Sequence, residues 1–133
     1  MLKRTLIATL AVFIAWQALD FVIHGLILMK AYQTTSPLWR LMPEMKRGLM
    51  MVVGLIASFT FTWVYARYVS RKCLLRGLGY GFWFGLGAGV SMGYGTFAVM
   101  PIPYYMAFTW FAGTVVKACV AGLIVGALLK DNG

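Results

Sequence analysis

Four apolar runs divide the chain, at residues 5–29, 48–68, 77–100 and 106–129. Each exceeds the roughly 20 residues that a helix needs to cross a hydrocarbon layer about 30 Å thick. Short polar or proline-bearing segments separate them, and little chain is left over for a soluble domain. The pattern predicts an all-α membrane protein: a single four-transmembrane-helix bundle occupying residues 1–133. Lys3 and Arg4 precede the first run as they would in a signal peptide. That run is longer than the ~7–15 residues of a signal segment, and no small-residue cleavage site follows, so it is expected to be a retained helix.

The connections predict more detail. In the first loop, residues 30–47, Ser36-Pro37 has the form of an N-cap followed by proline at the first helical position. A short interfacial helix through Leu38, Trp39 and Leu41 is expected, with Trp39 and Arg40 at headgroup level. Pro43 and Glu44 would then open the second spanning helix, the carboxylate near its positive end. Pro101-Ile102-Pro103 blocks helical continuation, so the third and fourth spans should form a tight antiparallel hairpin.

The third run carries an unusual polar-to-apolar rhythm. Gly77, Gly81, Gly85, Gly89 and Gly93 stand four residues apart, interleaved with Gly79, Gly87 and Gly95. In a bilayer small residues let helix backbones approach closely, which is what drives association there. Four residues turn an ideal helix by about 400°, so each glycine falls ~40° beyond the last. The expected surface is a curved stripe, broader than one partner can follow. The row Ala118, Gly122 and Gly126 in the fourth run would match only part of it. The third helix is therefore expected to be central, with several neighbours, and to offer a packing face to another subunit.

Composition sharpens this picture and excludes some classes. The chain is 62% hydrophobic and 11% charged, with a net charge of +9. The basic residues flank the apolar runs, so they point to a lipid bilayer as partner and not to nucleic acid. Lys3, Arg4, Arg67, Arg71, Lys72, Arg76 and Lys130 would share one side, against Lys30, Arg40, Lys46 and Arg47 on the other. Seven against four predicts both termini in the cytoplasm. Cys73 and Cys119 lie at different depths on that topology, so no disulfide between them is expected.

Ionisable residues inside a span cost roughly 2.5–3.5 kcal/mol each at the centre on insertion scales, so each calls for a partner or a task. Gln17, Asp20 and His24 share one face of the first helix, and Lys117 lies near the middle of the fourth. Antiparallel helices whose side chains lean toward their own N-termini bring Asp20 and Lys117 together. An Asp20–Lys117 ion pair is expected, completed by Gln17 or His24. Such a pair fixes helix register or serves as a proton or ion relay. His24 could also ligate haem, or copper together with outer methionines such as Met29 and Met50, because thioethers suit Cu(I). Methionine is also a common apolar filler. No nucleophile with a base, no paired carboxylates and no phosphate loop is visible, so no enzymatic activity and no resident cofactor are expected.

Several segments together resemble a family of small, uncharacterised bacterial four-helix integral membrane proteins. They are Asp20-Phe-Val-Ile-His24-Gly25, Tyr32, Leu38-Trp39-Arg40, Tyr94-Gly95-Thr96 with Pro101-Ile102-Pro103, Trp110-Phe111 and Ala121-Gly122. The resemblance covers nearly the whole chain and implies fold and location, with no assigned activity. Similar sequences often carry an acidic residue where this chain has Lys117, which would make the ion pair particular to this chain. The leading expectation is a structural or accessory subunit of a bacterial inner-membrane complex, working with other membrane subunits or by self-association. The alternative is a homo-oligomeric transporter or channel for protons, ions or a small solute, and the third is a haem- or copper-associated subunit.

Overall fold

The computed structural model describes residues 2–39 and 45–130, and every regular element among them is helical. Helix α1 (Leu2–Asp20) runs directly into a π-helical stretch, Phe21–Ile27. A short α2 (Met29–Thr34) and a 3-10 turn (Ser36–Leu38) follow. Then come α3 (Arg47–Tyr68) and α4 (Leu74–Gly89). A second π stretch (Val90–Gly95) joins α4 to α5 (Thr96–Val99), and α6 spans Tyr104–Leu128.

Three of these helical runs are long and apolar enough to cross a membrane: Leu2–Ile27, Arg47–Tyr68 and Tyr104–Leu128. The α4–α5 arm is equally long but less hydropathic, because its glycines add no apolar surface and its tyrosines and tryptophan are amphipathic. It also begins at Leu74, earlier than the expected residue 77.

Helix α6 is the spine of the fold. It packs α4 and the second π stretch along one side and α1 along another, and α3 rests on α1. This corrects the expectation that the glycine-rich helix would be central. The first and last described residues, Leu2 and Lys130, lie at one end, which we call the terminal end. There Arg4 donates to the carbonyls of Leu128 (3.0 Å) and Lys130 (2.9 Å), capping α6 with a cation where its dipole is negative.

The whole glycine ladder is spent on α6. Gly77, Gly81, Gly85, Gly89 and Gly93 are all buried. A Cβ on Gly77 or Gly81 would strike the carbonyl of Gly122 or Ala118 respectively. On Gly85 it would lie 2.9 Å from Val115 Cα, on Gly89 2.9 Å from the Phe111 carbonyl, and on Gly93 2.5 Å from the Ala107 carbonyl. The expectation that the stripe is too broad for one partner is therefore overturned. The partner supplies backbone, not only small side chains, so its sequence did not need to match. The π stretch also matters: a π turn holds more residues than an α turn, so the last four-residue step sweeps less far round the axis and brings Gly93 back toward α6.

Between α1, α3, α4 and α6 the terminal half is filled mainly by carbon, with Thr5, Thr9 and Thr62 buried beside it. Ala8, Val12, Phe61, Tyr65, Ala121 and Val125 are fully buried in one cluster. Helices α3 and α4 are bridged by aromatic side chains: Phe61 with Tyr80 (4.7 Å) and Phe84 (5.0 Å), and Tyr65 with Tyr80 (5.4 Å). Tyr80 also donates to the Phe61 carbonyl at 2.6 Å, and Tyr65 to the Cys73 carbonyl at 3.1 Å. The opposite, distal half has a second buried cluster, Ile23, Leu28, Ile102, Met106 and Ala107, in which α3 takes no part. From Met45 to Thr60 only Gly54 and Ser58 are not exposed, so the first half of α3 meets α1 near Gly54, beside Phe13 and Gln17, and is otherwise uncovered by the described residues.

The seat of α4 on α6 generates a sharp contrast. Gly81→Ala forces two backbones apart and should cost at least the 1–3 kcal/mol typical of overpacking. Gly79→Ala and Gly87→Ala enter open space; they should be neutral or stabilise by up to about 1 kcal/mol through helix propensity. Thermal unfolding of the three variants in detergent checks this, and equal loss at all three would contradict the packing described.

Candidate functional site

The ionisable residues of the apolar helices meet one turn beyond the aromatic core. Lys117 Nζ donates to Asp20 Oδ1 at 2.6 Å, and His24 Nε2 lies 3.8 Å from the same oxygen. Lys117 also sits over the Trp16 ring, 5.4 Å from its centroid, and Trp16 Nε1 donates to the Lys117 carbonyl at 2.8 Å. One tryptophan thus fixes both the backbone and the charge of the same lysine, the latter as a cation–π contact.

Gln17 does not complete this pair. Its amide turns toward α3, where a Cβ on Gly54 would sit 3.2 Å from Nε2. Being one residue beyond Trp16, it faces about 100° away from the residue that carries the lysine.

A second layer lies distal to the ion pair. Tyr32 Oη receives the indole N–H of Trp110 at 2.9 Å and is hydrogen-bonded to His24 Nδ1. An indole nitrogen can only donate, so Tyr32 accepts from Trp110 and has its own proton to give to Nδ1. In that arrangement Nε2 is the protonated nitrogen of a neutral His24, facing Asp20. Burial pushes the Tyr32 hydroxyl above the ordinary tyrosine range, which keeps that proton in place. Hydrogen bonds join Trp110, Tyr32 and His24, and separately Asp20 and Lys117; His24 Nε2 faces Asp20 across 3.8 Å, and the fully buried cluster begins beneath Trp16.

Both π stretches frame this site. The first starts immediately after Asp20 and contains His24, with Leu28 N bonded to Ile23 O at 2.9 Å, a five-residue closure. The second holds Met92 and ends at Gly95, just before Thr96. Between them lies a recess of about 230 Å³ lined by Asp20, Ile23, His24, Met92, Thr96, Trp110, Gly113, Thr114 and Lys117. Helices α1, α4–α5 and α6 wall it; α3 contributes no lining residue. π turns concentrate at functional sites because they widen a helix and re-aim its side chains.

The remaining expected site residues fall elsewhere. Trp39 packs inward, not as an isolated interfacial side chain. It stands edge-on to Tyr32 (5.4 Å) and Trp110 (6.0 Å), and its indole donates to Thr35 Oγ1 at 2.8 Å. The expected interfacial helix is replaced by α2 and the 3-10 turn, with Pro37 early in that turn and no side-chain cap. Arg40, Leu41, Pro43 and Glu44 lie outside the described residues. Met29 and Met50 are exposed, Met50 on the uncovered part of α3, and both nitrogens of His24 face polar neighbours. Among the described residues no three His, Cys, Asp or Glu side chains gather as a metal-binding group, and Cys73 and Cys119 are free.

Sequence reasoning missed Trp16, Tyr32 and Trp110 as parts of this network. Trp16 had a signal, standing four residues before Asp20 on the same face. Tyr32 and Trp110 had none, since they are 78 residues apart and meet only through the fold. Among known proteins, no family model, curated protein or solved structure matches this chain. The chemistry of the site is therefore the guide to its use.

Two outcomes follow from the network. Removing one charge, by Lys117→Met or Asp20→Asn, should destabilise the fold more than the joint replacement Asp20→Leu with Lys117→Met, because a lone charge is left without its partner. A double-mutant cycle by thermal unfolding measures this coupling. Tyr32→Phe should deprive His24 Nδ1 of its donor and shift its ¹⁵N resonance, leaving the Trp16 indole signal in place; an unchanged histidine spectrum would contradict the assigned direction of the string.

Proposed function

We propose that the chain is a four-span protein of a bacterial inner membrane, with both termini cytoplasmic, that serves as an accessory subunit of a larger membrane complex. The α4–α5 arm, at about 1.5 Å per residue, is long enough to cross a core about 30 Å thick. The terminal end carries Lys3, Arg4, Arg67, Arg71, Lys72, Arg76 and Lys130, in keeping with the positive-inside rule.

The observation that carries the accessory reading is the uncovered half of α3. Leu49, Met50, Met51, Val52, Val53, Leu55 and Ile56 are all exposed, so the helix shows apolar side chains around most of its circumference. A lipid-facing helix usually hides one side against its own bundle. This one has room along its length for a further transmembrane helix, and a subunit of a larger complex would supply it. The sealed terminal half disfavours conduction through a single chain, since the polar string meets fully buried carbon before reaching that end.

A photo-crosslinking residue at Val52 or Ile56, followed by gentle extraction and mass spectrometry, tests the reading. Adducts with a distinct membrane protein are expected. Adducts only with lipid or with a second copy of the chain would overturn it. Reconstituted alone in liposomes, the chain should move neither protons nor ions, and a flux abolished by Asp20→Asn would overturn it as well.

A further inference from the structure

The recess between the two π stretches has an unspent polar floor. Asp20 Oδ1 takes Lys117 and faces His24, but Oδ2 takes no hydrogen bond among the described residues. An ammonium has three donors and a carboxylate about four acceptor positions. Lys117 and Asp20 together therefore offer at least one free donor and one free acceptor side by side. Their side chains are 23% and 35% exposed, so these groups are accessible from the recess. In an apolar surrounding, leaving them unsatisfied is costly.

The floor also limits what could satisfy them. Lysine and aspartate cancel, and His24 is neutral where Tyr32 donates to its Nδ1, so the site has no net charge. An anion would meet Asp20 and a cation Lys117. A neutral group that both donates and accepts fits each, and a single hydroxyl does so. The walls are mostly carbon: Ile23, Met92, Trp110 and Gly113. Trp110 and Met92 favour a ring, through aromatic and thioether contacts. Size agrees: a dry cavity of about 150 Å³ accepts benzene, and about 230 Å³ accommodates a ring with one or two substituents.

We infer that this recess binds the ring of a neutral, hydroxyl-bearing aromatic amphiphile, its hydroxyl accepting from Lys117 Nζ and donating to Asp20 Oδ2. The ring lies along Trp110 and Met92, and any tail leaves through the side that α3 does not wall. The site is separate from the exposed surface of α3, so it stands whether or not a partner subunit is found there.

The test uses the full chain in lipid nanodiscs and 4-butylphenol as probe, read from ¹H–¹⁵N signals of the tryptophan indoles. Trp83, 69% exposed and outside the recess, reports simple partitioning into lipid. The Trp110 signal should move saturably, while the Trp83 signal drifts linearly. The methyl ether 4-butylanisole, which cannot donate, should bind at least tenfold more weakly. Asp20→Asn should weaken the phenol by a similar factor. Met92→Trp, at a position 58% exposed, should fill the mouth and abolish the saturable shift without touching the floor; Val99→Trp, 81% exposed and outside the recess, should leave it intact. Linear drift at both tryptophans, equal affinity for the ether, or an unaltered shift in Met92→Trp would each overturn the assignment, the first meaning that the recess holds water only.

Discussion

The close seat of α4 on α6 is the constraint from which the rest of the arrangement follows. Five glycines let two helices approach until a single methyl group would collide with the facing helix, at four of them with a carbonyl. Such contact gathers dispersion along a whole helix where no hydrophobic drive separates protein from lipid. Because α4 occupies one side of α6 so completely, α1 must take another, and Lys117 on that flank meets Asp20. Helix α3 is left with α1 as its main neighbour, touches α6 slightly, and reaches α4 through the rings of Phe61 and Tyr65 and the Tyr80 hydroxyl on the Phe61 carbonyl.

Those rings divide the interior in two. On the terminal side, aromatic and small aliphatic residues close the space, and the hydroxyls buried with them, such as those of Thr9 and Tyr80, bond backbone carbonyls. On the distal side α3 stands apart, both α1 and the α4–α5 arm widen into π turns, and the space becomes a recess with a charged floor. The ion pair sits at the boundary, held by Trp16 from below and by the Tyr32–Trp110 layer from above. A salt bridge in that position is partly open, so its remaining donors and acceptors are available to a ligand. Buried completely, the same pair would be a register pin and nothing more.

Much of the scaffold was legible in the chain itself. Apolar runs of spanning length are conspicuous, and the antiparallel hairpin is announced by two prolines flanking Ile102. Asp20 and Lys117 could be placed at one depth because charged residues stand out in such runs. Other features depend on backbone geometry that periodicity does not encode. An ideal helix drifts 40° at each four-residue step, which made the ladder look too broad for one mate; the π stretch and a partner offering backbone made it fit. The π turns themselves left only the faint mark of Gly25, Gly93 and Gly95. Tyr32 and Trp110 meet across 78 residues, and no local pattern could join them.

The central claim is an interior closed by carbon in the terminal half, with its recess lying wholly in the distal half. Its most direct measurement is one-sided labelling of Thr114→Cys, which places a thiol in the recess, in a chain with Cys73→Ser and Cys119→Ala. A charged, membrane-impermeant thiol reagent should modify it when added on the distal side of sealed vesicles, and leave it unmodified from the terminal side. Equal labelling from both sides would show a continuous path through the helices and contradict the account.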